Sequence, residues 1–361
     1  NDVSSSNVQS NIYETLVNRD ADGNLVPGLA ESWTQVDELT WEFKLKQGVT
    51  FHDGEAFNAT AVKTSFDRIL DPKVASPRAF LFEMVTEVKV VDEATVQFVT
   101  EYPFSPLLAH LTHNGGGIIS PKSIAADYAA LTGDTAAGSV IGTNPVGTGP
   151  FKFVSWTPGT EIKLEKFAEY AGTPANVDTV TIKVVPEMAT RVAELQSGYA
   201  HIIGTVEPGQ VANVNSSDGA SGLETPSSSL TYIGFNTQKA PFDNPKVRQA
   251  ISKAIDRTTL IDGIYEGYGI PAISPLSPGI FGYTEDVTSM AYNLDEAKAL
   301  LEEAGFADGF STTIWTNDNP ARQQVAIVLQ EELKKINVDV KIEVLEWGAY
   351  LEKTAAGEHD M

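Results

Sequence analysis

Leu39-Thr40-Trp41-Glu42-Phe43-Lys44-Leu45-Lys46 is the stretch from which the fold is read. Trp41, Phe43 and Leu45 alternate with Glu42, Lys44 and Lys46, a period of two that makes a strand with one face buried. Gly48 and the pair Asp53-Gly54 signal turns after it. Asn58 then offers a helix N-cap. Val62, Phe66, Ile69 and Leu70 follow on one helical face, and Pro72 stops the run. A strand handing over to an amphipathic helix places the chain among mixed helix and strand proteins.

Moving outward, residues 85–91 and 95–99 are β-rich runs joined by Asp92-Glu93-Ala94, a hairpin signal. Residues 103–150 are rich in Pro, Gly, Ala and Thr and predict irregular structure with one helix near 121–130. Strand signals return at 151–156, 161–167 and 177–185. Residues 187–198 predict a helix with Met188, Val192 and Leu195 on one face and Gly198 past its end. Residues 215–229 read as a Ser/Gly-rich loop and 230–236 as a strand. The last third predicts helices at 245–255, 258–265, 294–304 (capped by Asn293 and stopped by Gly305) and 321–336. Strands at 312–315 and 338–345 flank the last of these, giving an α/β region.

Bulk properties narrow the function classes. A chain of 361 residues exceeds one ordinary core, so two or three domains are expected. No segment approaches the roughly 20 uninterrupted apolar residues of a membrane helix. A net charge of −23, dispersed along the chain, repels phosphate backbones and argues against nucleic-acid partners. With no cysteine, thiol catalysis, zinc–cysteine sites and disulfides are excluded. The chain begins at Asn1 with no signal peptide, which reads as a mature or trimmed form.

The run Gly28-Leu29-Ala30-Glu31-Ser32-Trp33, then 41–46, then Val49-Thr50-Phe51-His52-Asp53-Gly54, then 61–68 resembles the family 5 extracellular solute-binding proteins of bacterial ABC transporters. The resemblance continues collinearly at 147–151, 194–198, 235–242, 247–250, 297–306 and Glu346-Trp347. It implies a periplasmic-binding-protein-like type II α/β fold with two lobes, a hinge and an extra domain in lobe I. On that pattern residues 1–14 and 146–238 belong to lobe I, 15–145 to the extra domain and 239–361 to lobe II. It also implies that a leading strand and a C-terminal segment complete the fold. In peptide-binding members that segment carries the aspartate that pairs with the ligand's amino group. The expected role is capture of a peptide or peptide-like solute by lobe closure and delivery to an ABC permease. The expected protein is an extracytoplasmic monomer, in the periplasm or tethered by a removed lipid anchor, with no cofactor and no catalysis. A glycan or chelated nickel is the alternative ligand.

Candidate ligand residues follow from position and chemistry. Arg78 stands where relatives line the site, and a guanidinium there can clamp a carboxylate by two parallel bonds. The surface-arginine reading stands beside it. Trp347 offers a flat apolar wall, against a packing role behind strand 338–345. Asn236 can pair with a ligand backbone or simply cap a turn before Gln238. Val3, Ser4 and Ser5 match a segment that lies along bound peptides as an added strand. His113-Asn114-Gly115-Gly116-Gly117 exposes backbone N–H groups, making Asn114, Gly115 and Gly116 a candidate ligand wall. That run also resembles an esterase oxyanion hole, but the chain contains no Gly-x-Ser-x-Gly to supply a nucleophile. His110 and His113, three apart, suggest two imidazoles on one helix face without an evident third metal ligand.

Overall fold

The computed structural model describes residues 3–131, 136–225, 227–287 and 290–361. They divide into two compact units, one up to Pro186 and one from Glu187. Among the described residues no helix is long and apolar enough to cross a membrane.

The first unit opens with α1 (Val3–Ile12), then β1 (Val17–Arg19), β2 (Leu25–Pro27), β3 (Ala30–Gln35), β4 (Thr40–Leu45), α2 (Ala59–Leu70), β5 (Val85–Asp92) and β6 (Thr95–Thr100). The decisive stretch is β4, a central strand of an antiparallel sheet in the order β3-β4-β6-β5. Its Phe43 and Leu45 are buried as the alternation requires. Helix α2 is capped by Asn58, whose side chain accepts from Ala61 N. It lays Val62, Phe66 and Ile69 into the core beneath this sheet. Phe66 meets Phe98 edge-on at 4.8 Å and Phe82 at 5.1 Å, and Phe43 meets Phe98 at 5.3 Å. T-shaped contacts of this kind add to the area term.

Short helices α3 (Leu107–His110), α4 (Pro121–Ala130) and α5 (Ser139–Thr143) follow; of these, the sequence anticipates only α4. One buried ion pair organises them. Arg68 Nη2 lies 2.8 Å from Asp127 Oδ2 on α4, and Asp127 also accepts the Gly138 and Val140 N–H groups. Strands β7 (Phe151–Thr157), β8 (Glu161–Lys166) and β9 (Thr179–Lys183) form a second antiparallel sheet in that order.

The expectation of an extended segment at Val3, Ser4 and Ser5 is corrected: these residues begin α1. The helix is favoured because its Val8 and Ile12 pack with Phe151 and Leu164 of the second sheet. Asn11 Nδ2 also donates back to Asn7 O at 2.7 Å. Gly147 and Gly149 run close beside the end of α1, where Gly149 N donates to Ile12 O at 2.9 Å. A Cβ at Gly147 would stand 2.1 Å from Ile12 O and 2.7 Å from Tyr13 Cδ1, so only glycine fits. From the other side, the His52 ring donates from Nε2 to Gly149 O at 2.9 Å and accepts from Gly147 N at 3.4 Å.

The second unit holds α6 (Met188–Gln196), α7 (Pro208–Asn215), α8 (Pro245–Lys253), α9 (Arg257–Tyr265), α10 (Leu294–Glu303), β10 (Phe310–Thr316), α11 (Pro320–Lys334), β11 (Val338–Val344) and α12 (Trp347–Ala355). Strands β10 and β11 pair in parallel from Phe310↔Val338 to Thr316↔Val344, and α11 is the crossover that parallel pairing needs. Leu329 and Leu333 of α11 and Val338 and Val340 of β11 share a core with Val247 and Ile251 of α8 and Leu301 of α10. On its other edge β10 meets Met361: Met361 N donates to Thr313 O, and Trp315 N donates to Met361 O. The strand expected over 230–236 does not form. Its alternation finds no ladder partner among the described residues, and Tyr232 is left exposed. Nor do α7 and α12 announce themselves in the sequence.

Candidate functional site

In the first unit a single turn of 3₁₀ helix at Asn114–Gly116 gathers most of the expected residues. His113 caps it, its Nδ1 accepting Gly115 N–H at 2.8 Å. Asn114 Nδ2 donates to Ser6 O at 3.1 Å, fastening the turn to α1. The glycines are needed by contact. A Cβ at Gly115 would stand 3.1 Å from His113 Nδ1 and 3.2 Å from Arg78 Cβ. One at Gly116 would meet Phe82 Cζ at 3.2 Å, and one at Gly117 would meet Tyr13 Cβ at 3.1 Å. Arg78 is half-buried, and its backbone N–H donates to Ser76 Oγ at 3.3 Å.

Arg78, Asn114 and Gly115 therefore lie together beside α1, but the expected wall of exposed backbone donors is corrected: Gly116 is buried against Phe82, and the N–H groups of Gly115, Gly116 and Gly117 are taken by His113 Nδ1, His113 O and Asn114 O. Val3 opens that helix, and its side chain lies outside the described residues. The two histidines do not share a helix face: α3 ends at His110. His110 Nδ1 donates to Leu81 O at 2.7 Å, which fixes its tautomer, while its ring meets Phe104 edge-on. Burial, followed by the Arg78 charge, holds His113 below the usual imidazole range, so it stands as a neutral acceptor. Among the described residues no group of three or more His, Cys, Asp or Glu side chains could hold a metal.

The second unit treats its two candidates differently. Asn236 is buried, and its amide is engaged in the fold. Nδ2 donates to Gly357 O at 2.8 Å and to His359 O at 3.0 Å, while Oδ1 accepts from Gln238 N at 3.1 Å. Its backbone N–H donates to Asp360 O at 2.9 Å. The turn-capping alternative thus describes Asn236 best, extended to a staple that holds residues 357–360. Trp347 remains 44% exposed at the first turn of α12, so it does not pack behind β11. It stacks on Tyr350 at 5.2 Å with planes 9° apart, and the Arg322 guanidinium lies 5.6 Å from its ring centroid. Arg322 Nη1 also donates to Asn317 Oδ1 at 3.3 Å.

This platform stands just beyond the carboxyl ends of β10 and β11, where the chain leaves each strand for a helix. Open α/β sheets bind ligands there. Arg322, Tyr350 and Asn317 escape the sequence reading. The Trp347–Tyr350 spacing of three would expose the stack once 347–355 is read as a helix, but Glu346 and Trp347 read equally well as the end of a strand. Arg322 carries no local signal, because its partner lies 25 residues further along the chain.

A family model described as bacterial extracellular solute-binding proteins, family 5, middle, matches residues 24–361. The glutathione-binding protein of Pectobacterium atrosepticum is 37% identical over 352 residues, covering 96% of this chain and 66% of the relative. The dipeptide-binding protein of Escherichia coli is 33% identical over 358 residues, 93% of this chain and 66% of the relative. The chain thus spans just under two thirds of the length of these relatives. Among solved structures, the periplasmic binding protein DppA of Helicobacter pylori in complex with the peptide STSA is similar, with a TM-score of 0.81 and 33% identity over 100% of this chain and 73% of that one. So is NikA from Brucella suis in complex with Fe(III)-EDTA, with a TM-score of 0.83 and 26% identity over 98% and 72%. The α/β fold is that of the type II periplasmic binding proteins.

Proposed function

The chain belongs to the family 5 bacterial extracellular solute-binding proteins, and from that premise we propose that it is the substrate-binding component of an ABC importer, capturing a peptide or peptide-like solute outside the cytoplasm. The observation that carries the ligand class is the Arg322–Trp347–Tyr350 platform. No carboxylate stands within ion-pair distance of Arg322 among the described residues, while Trp347 and Asn317 hold its guanidinium in place. A guanidinium fixed on an indole suits a ligand that ends in a carboxylate and carries an apolar body. In the other unit, Arg78 beside the 113–117 turn is a second candidate cation, while the glycine N–H groups of that turn are spent on His113 and Asn114.

The protein's work in this reading is binding without chemistry, through lobe closure and recognition by a permease. Lobe I comprises 1–14 and 146–238, the extra domain 15–145, and lobe II 239–361. The mature protein is a monomer, in the periplasm or held at the membrane by a lipid anchor. A ligand rich in carboxylates around a metal is the second reading, favoured by the same arginine and by the chelate bound to the Brucella relative. Native mass spectrometry of the full-length protein as purified, followed by calorimetric titration with di- and tripeptides, tests the proposal. A peptide mass that exchanges with added peptide is the expected result. A glycan or a chelate in its place, with no heat from any peptide, overturns the peptide assignment.

A further inference from the structure

Asn114 is the only asparagine in the chain followed directly by glycine. The fold imposes the pair. Asn114 is used to hold Ser6 O, and a side chain at 115 would press on His113 and Arg78. Closure of an asparagine side chain onto the next backbone nitrogen is hindered mainly by the next residue's side chain, and it begins with loss of that nitrogen's proton. Here residue 115 has no side chain, and its N–H already points at an imidazole nitrogen 2.8 Å away.

We propose that Asn114 is a site of spontaneous modification, in which His113 acts as base and the asparagine is converted to aspartate and isoaspartate. The step balances without an oxidant or cofactor. His113 Nδ1 takes the Gly115 proton, and the freed nitrogen attacks Asn114 Cγ to form the new C–N bond. The bond from Cγ to Nδ2 breaks, and Nδ2 leaves as ammonia with the proton returned by the imidazolium. Water then adds to the cyclic imide and opens it at either carbonyl. Asn114 and His113 are only half-buried, so water reaches both. The neutral state of His113, kept by burial and by the Arg78 charge, leaves its nitrogen able to accept.

The product differs in charge and in its hold on α1. A carboxylate replaces a neutral amide, and the donor that fastened Ser6 and α1 is lost. The protein thereby acquires a second form, set by its age rather than by a ligand.

Full-length protein held in mildly alkaline buffer, with peptide mapping that separates aspartate from isoaspartate, tests this. Native protein is expected to convert at Asn114 about a hundredfold faster than H113Q, within the range of general-base catalysis, with the other asparagines unchanged. Equal rates in the two proteins, or faster conversion in urea-unfolded chain than in native chain, overturn it. Should H113Q fail to fold, the pH profile of the native protein decides. A rate that levels above the imidazole titration supports the proposal, and one that rises in proportion to hydroxide throughout overturns it.

Discussion

Residues 113–117 present a turn whose form is set by its backbone; residues 317–350 present a platform made of side chains. The first surface is set by what it excludes. No Cβ fits at Gly115, Gly116 or Gly117 without moving His113, Arg78, Phe82 or Tyr13. The second is set by what it carries: an indole, a phenol and a guanidinium projecting from the first turns of α11 and α12. A glycine-lined wall is inseparable from the packing behind it, so changing it costs stability. A platform of exposed side chains can be altered while the core beneath it stands. The two units should therefore separate fold from affinity, and mutation can break that contrast.

The largest effect is expected at Gly147, which holds the chain against the end of α1 behind the wall. G147A drives a Cβ into Ile12 O and Tyr13, and should cost about 4 kcal/mol of stability. Denaturant unfolding measures this, and hydrogen exchange should place the lost protection within residues up to 186. Protection lost chiefly beyond 187 would contradict the division.

D127N should cost about 3 kcal/mol, because it leaves the Arg68 guanidinium buried opposite a neutral amide. Burial works against ionisation of Asp127, but the Arg68 hydrogen bond and the Gly138 and Val140 N–H groups outweigh it and hold the carboxyl below its ordinary value of 3.8. A depressed carboxylate stabilises the fold above that ordinary value, and its share is lost as pH falls through the folded one. Wild-type stability should therefore drop on acidification below 3.8, more steeply than that of D127N. Parallel acid titration curves would remove Asp127 from the account.

The smallest effect on the fold and the clearest on binding belongs to R322Q. It should weaken binding of a peptide with a free carboxyl end about tenfold, or ~1.4 kcal/mol, while the unfolding midpoint stays in place. Calorimetry with the acid and the corresponding amide separates the outcomes. A shifted midpoint with unchanged affinity would make Arg322 a packing residue and erase the contrast with the glycine wall.

Much of the fold is legible wherever one face alone is buried. The alternation at Trp41, Phe43 and Leu45, the Asn58 and Asn293 caps and the Gly305 stop all fall where the structure has them. What failed depends on distant partners. Residues 230–236 have strand composition, but a strand exists only where a neighbour completes its ladder. Val3–Ser5 have no helical signature of their own and are helical because Val8 and Ile12 find a sheet 139 or more residues away. The site divides on the same line. The 113–117 turn was readable because three consecutive glycines have a local cause. Arg322 was not, since nothing near it in sequence says that an indole will stack against it. Asn236 was visible as a polar residue of interest, but its binding partners are 121 and 123 residues further on.

In polymer terms that asparagine is a crosslink. Its side chain closes a loop of more than a hundred residues with two hydrogen bonds and no covalent bond. The entropy of loop closure grows only with the logarithm of length, each doubling adding about 0.6 kcal/mol, so so wide a span costs little more than a short one. α8 through α12 thus lie inside a ring clasped by that amide, by the Asn236 N–H on Asp360 O and by Lys239 on Glu358 and Asp360.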